Sequence, residues 1–375
     1  MVQGVGGGLM LPVLQTLLLR AAGGRRIGQL MAVVTLPALV GPILGPVIGG
    51  LIAGHLSWRW IFYINVPLCT AAIVLAWRSL TTDASREGHR LDLTGLLLLS
   101  PAMAALVYGL SQVGNHGAFN DAHAAVPLVA GMVLLAGFVY RAAGAASPLI
   151  DLGLFRNRSF SASAGLLFLS GFSTFGPMLV LPLYFQQVRH QGVVGAGVLL
   201  APQGVGSLLA RKAGSLTDRL GPRPVILAGV ALTIMGSIPF VAADNTSAWL
   251  LAGALVIRGI GLSSANMAVM TGAFQGLTPA QIPHASSATR IMQQIGGAFG
   301  IAALAAILQR ELADHSGRTM REVVAFHHTF AWALALTALS VLPALLLPRL
   351  PSKNCHPSPD PTPHNGTPTR DTTAQ

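Results

Sequence analysis

The chain has 375 residues, of which 52% are hydrophobic and only 9% are charged, whereas charged residues make up about 25% of an ordinary soluble domain. This composition argues against a water-soluble globule and indicates a membrane protein. The formal net charge of +11 does not indicate nucleic-acid binding, because the basic residues lie between apolar stretches and not along one face or arm.

Apolar segments long enough to cross a bilayer recur along the chain. About 20 helical residues cross the roughly 30 Å of hydrocarbon. Eleven segments meet this requirement: 2–19, 28–53, 59–79, 92–113, 125–142, 159–186, 192–210, 222–243, 248–275, 288–308 and 324–347. We therefore predict an all-α polytopic membrane fold. Residues 349–375 are rich in Pro and Thr, and we expect them to form a disordered tail.

Basic residues predict the orientation of these spans, because cytoplasmic loops carry an excess of Lys and Arg. Seventeen lie in one set of alternating loops and in the tail: Arg20, Arg25, Arg26, Arg78, Arg86, Arg90, Arg141, Arg156, Arg158, Arg211, Lys212, Arg219, Arg223, Arg290, Arg349, Lys353 and Arg370. The opposite loops hold five: Arg59, Arg189, Arg310, Arg318 and Arg321. The first set and the C-terminus are therefore predicted to be cytoplasmic.

The second predicted span contains a regular pattern of small residues and prolines. The pattern GPILGPVIGG consists of Gly41, Pro42, Gly45, Pro46, Gly49 and Gly50, with the connecting apolar residues. Glycines four residues apart share one face of a helix and let a neighbouring helix approach closely. The two prolines each remove a backbone donor and bend the helix. A generic packing helix is the alternative interpretation.

Polar side chains within the predicted spans form a second group of candidates. They are Tyr108, Gln203, Asn266, Gln293 and Gln294. Each needs a hydrogen-bond partner inside the bundle, so each either joins helices or lines a cavity. Arg258 lies near the middle of its span, where an arginine costs roughly 2.5–3.5 kcal/mol on insertion scales. It therefore either lines a substrate or coupling site or pairs with carbonyls around Gly259 and Gly261.

Two further patterns suggest function without deciding it. Phe168, Phe172 and Phe175 lie on one helix face, which suits either a drug-binding pocket or packing in the core or against lipid. The segment GSLTDRLGPRP, residues 214–224, carries Asp218 close to two arginines. Such a loop can pair charges with helix ends in one conformation and release them in another, or it is an ordinary basic loop with a glycine turn.

Taken in order, these segments resemble one family. GPILGPVIGG resembles the antiporter motif in the fifth helix of major-facilitator drug exporters, and SWRWIFYINVP, residues 57–67, resembles the start of the sixth helix in the branch with fourteen spans. SPLIDLGLFRNRSF (147–160) and ASSATRIMQQIGGAFGIA (285–302) are similar to later parts of that branch. The matching residues of the family's loop motif are Gly214, Asp218, Arg219, Gly221 and Arg223, whereas Pro222 stands where a basic residue is usual.

The resemblance implies proton-coupled export of small amphipathic drugs or toxic compounds across the inner membrane by alternating access. Its expected partners are the substrate, protons and the lipid bilayer, with a periplasmic adaptor protein as a further candidate. It divides the chain into a remnant of the N-terminal bundle (1–79), linking helices and a cytoplasmic segment (80–158), a six-helix C-terminal bundle (159–348) and the tail. The alternatives are export of an endogenous metabolite and a non-transporting truncated membrane protein.

The resemblance also bears on what the sequence lacks. None of the twelve acidic residues lies deep within a predicted span, although proton-coupled exporters usually need a membrane carboxylate. The first span resembles the family's fourth helix, in which Gln3 and Gly4 match, so we expect eleven of fourteen spans, with the carboxylates upstream. The sequence has no Walker-type phosphate loop and no catalytic cluster of serine, cysteine or metal ligands. We therefore expect neither an enzyme nor a cofactor.

Overall fold

The computed structural model describes residues 92–116, 121–145, 149–242, 247–278, 281–313 and 320–347, together with 59–79 and eight single positions further upstream. The predicted spans 2–19 and 28–53 lie largely outside the described residues. So do several candidate residues, namely Gln3, Gly41, Pro42, Gly45, Pro46, Gly49 and Gly50.

The described part of the chain consists of helices joined by short connections. In order they are α1 (Trp60–Tyr63), α2 (Asn65–Ser79), α3 (Leu93–His116), α4 (Ala122–Gly144), α5 (Arg158–Gln187), α6 (Val193–Leu209), α7 (Ala213–Leu220), α8 (Pro222–Ser237), α9 (Pro239–Ala242), α10 (Ala248–Phe274), α11 (Ile282–Ala313), α12 (Met320–Leu339) and α13 (Val341–Leu345). Short 3-10 turns lie at Leu152–Arg156 and Ala210–Lys212. The all-α prediction is confirmed for these residues.

Membrane-length helices account for most of the described chain. Seven stretches are long and apolar enough to cross a bilayer, and they cover the predicted spans from 92–113 to 324–347 apart from 192–210. That exception is α6, which is 17 residues long and continues through a 3-10 turn to Lys212. The predicted span 59–79 is divided at Ile64 into α1 and α2. The chain is therefore a multi-pass membrane protein.

Two groups of helices form the core. In the first, α11 packs along α5 and also against α3, which pairs with α4. In the second, α10 packs with α6 and α8. Large buried side chains cluster around Phe160 and Ile226 at one end of the bundle and around Tyr184 and Phe330 at the other. The helices are thus held by apolar contacts at both ends.

Glycines allow the central helices to approach each other more closely than other residues would. A Cβ atom built on Gly171 of α5 would lie 2.9 Å from the backbone nitrogen of Gly297 and would also overlap the carbonyl of Gln293, both on α11. On α10, a Cβ on Gly261 would lie 2.5 Å from the carbonyl of Gly229 on α8. Backbone therefore packs on backbone, as is usual where small residues line a membrane-helix interface.

The first helix of the linking pair, α3, begins at a capped and paired carboxylate. Asp92 accepts a hydrogen bond from the backbone nitrogen of Gly95 at 2.8 Å and another from Arg141, on α4, at 3.0 Å. Its side chain is only 4% exposed. The Gly95 amide and then the Arg141 guanidinium hold the pKa of Asp92 below its ordinary value. This contact joins the start of α3 to the last turns of α4.

Candidate functional site

A cleft of about 640 Å³ lies between α3 and α11. Its walls are mostly apolar, and Met103 and Val107 of α3 face Ile291 and Ile295 of α11 across it. Ligand sites for small molecules usually have this volume and this apolar character, with a few polar groups that orient the ligand. The cleft is therefore a candidate binding site.

Four polar side chains line the same cleft: Tyr108, Ser111, Arg290 and Gln294. Two of them, Tyr108 and Gln294, were predicted from the sequence to line a cavity, and the structure brings them together here. The hydroxyl of Tyr108 accepts a hydrogen bond from Nε2 of Gln112 at 2.8 Å. Polar groups on both helices can thus contact one bound molecule.

Arg290 is half-buried within α11, eight residues after the helix begins at Ile282. Placing it among the loop residues was wrong. The predicted span 288–308 already contained residue 290, but the charge count assigned it to the adjoining cytoplasmic loop, whereas α11 begins six residues before that span. Sequence reasoning therefore missed Arg290 as a site residue. The sequence did contain a signal: Arg290 lies four residues before Gln294, so a helix places the two side chains on the same face.

A line of polar contacts leads from Arg290 into the bundle. Its Nη1 donates to Oε1 of Gln293 at 3.3 Å, and Nε2 of Gln293 donates to Oδ1 of Asn266 on α10 at 3.5 Å. Both of these amide side chains are 6% exposed. The predicted candidates Gln293 and Asn266 therefore join α11 to α10 behind the cleft.

Arg258 lies in the middle of α10 and is only 4% exposed. Its Nη1 donates to Oε1 of Gln203 on α6 at 2.8 Å, and its Nη2 donates to the carbonyl of Ser173 on α5 at 2.9 Å. The hydroxyl of Ser173 in turn lies 2.8 Å from that of Thr337 on α12. The predicted candidates Arg258 and Gln203 are thus in direct contact.

The carbonyl partner of Arg258 differs from the one suggested by its neighbours in the sequence. Carbonyls around Gly259 and Gly261 were one alternative, but the guanidinium donates to the carbonyl of Ser173, on another helix. Inside a helix a carbonyl normally accepts from the N–H four residues on, but residue 177 of α5 is a proline and has no N–H. The carbonyl of Ser173 is therefore left for the guanidinium of Arg258. Sequence reasoning missed both Ser173 and Thr337. Pro177, four residues after Ser173, was the available signal for the first, whereas nothing local in the sequence indicates the second.

The aromatic stripe on α5 packs against the glycine-rich face of α11. Phe172 is 1% exposed, and its Cα lies 2.9 Å from where a Cβ on Gly300 would sit. Phe175 is half-buried beside Gly297 in the same way. The ring centroids of Phe172 and Phe299 are 6.3 Å apart. Phe172 and Phe175 therefore contribute to the α5–α11 interface.

The loop motif forms a short helix followed by a sharp turn. Gly214, Asp218 and Arg219 lie on α7, Gly221 has a φ of +86° between α7 and α8, and Arg223 lies on the first turn of α8. Asp218 is half-buried and Arg219 is exposed. Only glycine adopts this φ without strain, which explains Gly221. The motif is thus more helical than the predicted loop, and α7 packs against α10.

The match with a protein family covers most of this architecture. The model of the Major Facilitator Superfamily matches residues 1–301 of the 375. The chain belongs to the Major Facilitator Superfamily. The family predicted from the ordered motifs is therefore confirmed, and it is a family of membrane transporters.

Relatives within the Major Facilitator Superfamily include proteins named for drug resistance. The chain is 38% identical over 323 residues to a multidrug resistance protein B homolog of Mycobacterium tuberculosis. This alignment covers 84% of the chain and 59% of that protein. It is 28% identical over 309 residues to the lincomycin resistance protein LmrB of Listeria innocua, covering 82% of the chain and 65% of LmrB. It is 29% identical over 355 residues to the putative multidrug resistance protein MdtD of Serratia proteamaculans, covering 94% and 73%. The chain spans less than two thirds of the first two relatives.

Proposed function

We propose that this protein exports small amphipathic compounds, such as drugs or toxic metabolites, across the inner membrane by alternating access. The observation that carries the proposal is the cleft between α3 and α11, whose apolar walls carry polar groups from both helices. Membership of a transporter family supports it. So do relatives that are named for multidrug and lincomycin resistance.

The proposal assigns roles to the candidate residues. Tyr108 and Gln294 contact substrate in the cleft, and Arg258 holds α10 to its neighbours during the transport cycle. The glycine and proline pattern from Gly41 to Gly50 provides close helix contact in the N-terminal part. The loop motif from Gly214 to Arg223 acts as a latch between conformations.

The arrangement in the membrane is part of the proposal. The C-terminus is cytoplasmic, and the chain divides into an N-terminal bundle remnant (1–79), a linking region (80–158), a C-terminal bundle (159–348) and a tail (349–375). Protons drive the export. A periplasmic adaptor protein is a further proposed partner, which would copurify with the chain after crosslinking in cells.

Deleting the gene in its host tests the function directly. The deletion strain should become more susceptible to a set of amphipathic antibiotics and should accumulate a lipophilic fluorescent dye, and the intact gene should restore both phenotypes. Collapsing the proton gradient with an uncoupler should abolish the difference in dye accumulation between the two strains. Unchanged susceptibility and unchanged accumulation across the set would reject the proposal, and a difference that survives the uncoupler would reject proton coupling.

A further inference from the structure

The charge of Arg290 has no acidic partner among the residues that the structure describes around the cleft. Among the described residues, it makes one hydrogen bond, a long one of 3.3 Å to the neutral amide oxygen of Gln293. No Asp or Glu is among the described residues that line the cleft. An arginine carries five N–H donors and stays protonated in proteins. The described residues therefore use one of these donors, through Gln293.

Arg290 lies near the start of the apolar part of α11, a helix long and apolar enough to span the membrane. Charged side chains on such helices usually pair with one another or face a wet cavity. A planar guanidinium binds carboxylate and phosphate groups through two parallel hydrogen bonds. An anion in the cleft would satisfy both the charge and the geometry of this side chain.

The rest of the cleft suits the body of an amphiphile. Next to Arg290, the apolar side chains of Val107 and Ile291 line both walls, and the hydroxyl of Tyr108 and the amide of Gln294 lie among them. A volume of about 640 Å³ is large enough for a drug-sized molecule. One end of such a molecule would contact the guanidinium while its chain or ring lies along the apolar walls.

We propose that the cleft between α3 and α11 selects amphiphiles with an anionic head, a carboxylate or a phosphate, which Arg290 binds. The proposal deepens the export function given above by stating the charge class of the substrate. Binding itself does not require transport, so the two can fail separately. A free acidic compound and an anionic membrane lipid share this chemistry, and the experiment below distinguishes them.

Equilibrium binding to the purified chain tests the proposal with two fluorescent probes of the same shape. One is dansylated undecanoic acid, and the other is the neutral dansylated undecanamide. At neutral pH, we expect the acid to bind about ten- to a hundredfold more tightly than the amide, because hydrogen bonds between charged groups have this strength. Arg290→Gln should remove the preference while the amide binds as before. Arg310→Gln, a matched change at the exposed far end of α11, should leave the preference intact.

A second variant keeps the proposal testable if Arg290→Gln does not fold. Val107→Trp fills the cleft and leaves the arginine in place, so it should weaken binding of both probes. Equal affinity of the wild-type chain for acid and amide, or a preference that persists in Arg290→Gln, would overturn the proposal. Displacement of the acid by phosphatidylglycerol but not by phosphatidylcholine would identify the ligand as a membrane lipid. Resistance to both lipids would identify a free acidic compound.

The binding result and the transport result are independent. If the deletion strain accumulates dye but the purified chain does not distinguish the probes, the anion selectivity is wrong and export stands. If the chain selects the acid but the deletion changes neither susceptibility nor accumulation, the site stands and the export function is wrong.

Discussion

Arg258 carries a buried charge whose described hydrogen bonds go to neutral groups, the side-chain oxygen of Gln203 and the carbonyl of Ser173. Removing a charge from water costs several kcal/mol even after relaxation. Replacing a buried charged group together with its partners by apolar residues is often neutral or stabilising. A charge retained under these conditions is better explained by the transport cycle than by stability.

The substitution Arg258→Met separates these two roles. Methionine has a similar length and no charge, so the cost of burying the charge disappears, but the oxygens of Gln203 and Ser173 lose their donor, at about 1–3 kcal/mol each. These two effects oppose each other, so we expect the detergent-solubilised protein to unfold at nearly the same temperature as the wild type. Drug export should nevertheless fall strongly, because α5, α6 and α10 lose their common polar contact. Thermal unfolding and dye accumulation are the two measurements. Arg156→Met, at an exposed position, is the control. A large drop in unfolding temperature for Arg258→Met would show that the contact is mainly structural.

Asp92 allows a pH prediction outside the membrane spans. Its pKa is lowered in the folded protein, so its contribution to stability is fully present above the unfolded value, about 3.9, and is lost as the pH falls through the folded value. Between pH values of about 5 and 8 this contribution is constant. Asp92→Ala should lower the unfolding temperature at neutral pH by removing the helix cap and the contact with Arg141. Asp92→Asn keeps an amide oxygen for the cap and should lower it less.

The comparison of the two variants decides between cap and ion pair. If Asp92→Asn destabilises as much as Asp92→Ala at neutral pH, the contact with Arg141 carries the effect. The difference between wild type and Asp92→Ala should shrink when unfolding is measured well below the ordinary pKa of aspartate. A difference that does not depend on pH would contradict the assignment to the carboxylate.

At the scale of helices, the close approach of α5 to α11 rests on glycines from both sides. A Cβ on Gly171 would meet the backbone of Gln293 and Gly297, and a Cβ on Gly296 would meet the carbonyl of Phe168. Backbone atoms cannot move aside as the end of a flexible side chain can. The helices must therefore separate before a larger residue fits.

Two alanine substitutions on the same helix test this packing. Gly171→Ala should destabilise the protein by about 1–3 kcal/mol, as overpacked cores do. Gly165→Ala is the matched control, because a Cβ there meets nothing within 4 Å. It should stabilise α5 by up to about 1 kcal/mol through helix propensity. Unfolding temperatures that shift in the same direction for both variants would contradict the close-packing account. Gly261→Ala and Gly253→Ala provide the same comparison on α10.

Helices were easier to predict from the sequence than their contacts. The span predicted at 248–275 corresponds to α10, Ala248–Phe274, because long apolar runs reflect the thickness of the membrane. The contact of Arg258 with Ser173 links positions 85 residues apart, and no local pattern encodes such a distance. The cleft was predicted only in part for the same reason. Tyr108 and Gln294 were recognised as polar residues in spans, but their meeting depends on how α3 packs against α11.

At the scale of the whole molecule, the distribution of basic residues predicts the orientation. Basic residues within three positions of a helix end, such as Arg141 on α4 and Arg310 on α11, stay in their sets. Leaving out Arg290, which lies deeper in its helix, the sets hold sixteen and five, so the bias remains strong. Arg211, Lys212 and Arg219 lie together at α7 and the turn before it. The connection between α5 and α6 contains one basic residue, Arg189. These two regions lie at opposite ends of the bundle, so they should face opposite sides of the membrane.

Cysteine labelling of intact cells tests this orientation. In a background in which Cys69 and Cys355 are replaced by serine, a membrane-impermeant maleimide should label Gln191→Cys, which lies at an exposed position between α5 and α6. It should label Ser215→Cys, on α7, only after the cells are permeabilised, because the positive-inside rule retains that basic segment in the cytoplasm. Each variant must first be shown to reach the membrane, so that absence of label reflects access and not expression.

The reverse labelling pattern would invert the proposed topology and place the loop motif from Gly214 to Arg223 on the outer side. At 17 residues, α6 is shorter than the other predicted spans in the bundle, so its crossing of the membrane needs a direct test. Labelling of both positions in intact cells would show that α6 does not cross.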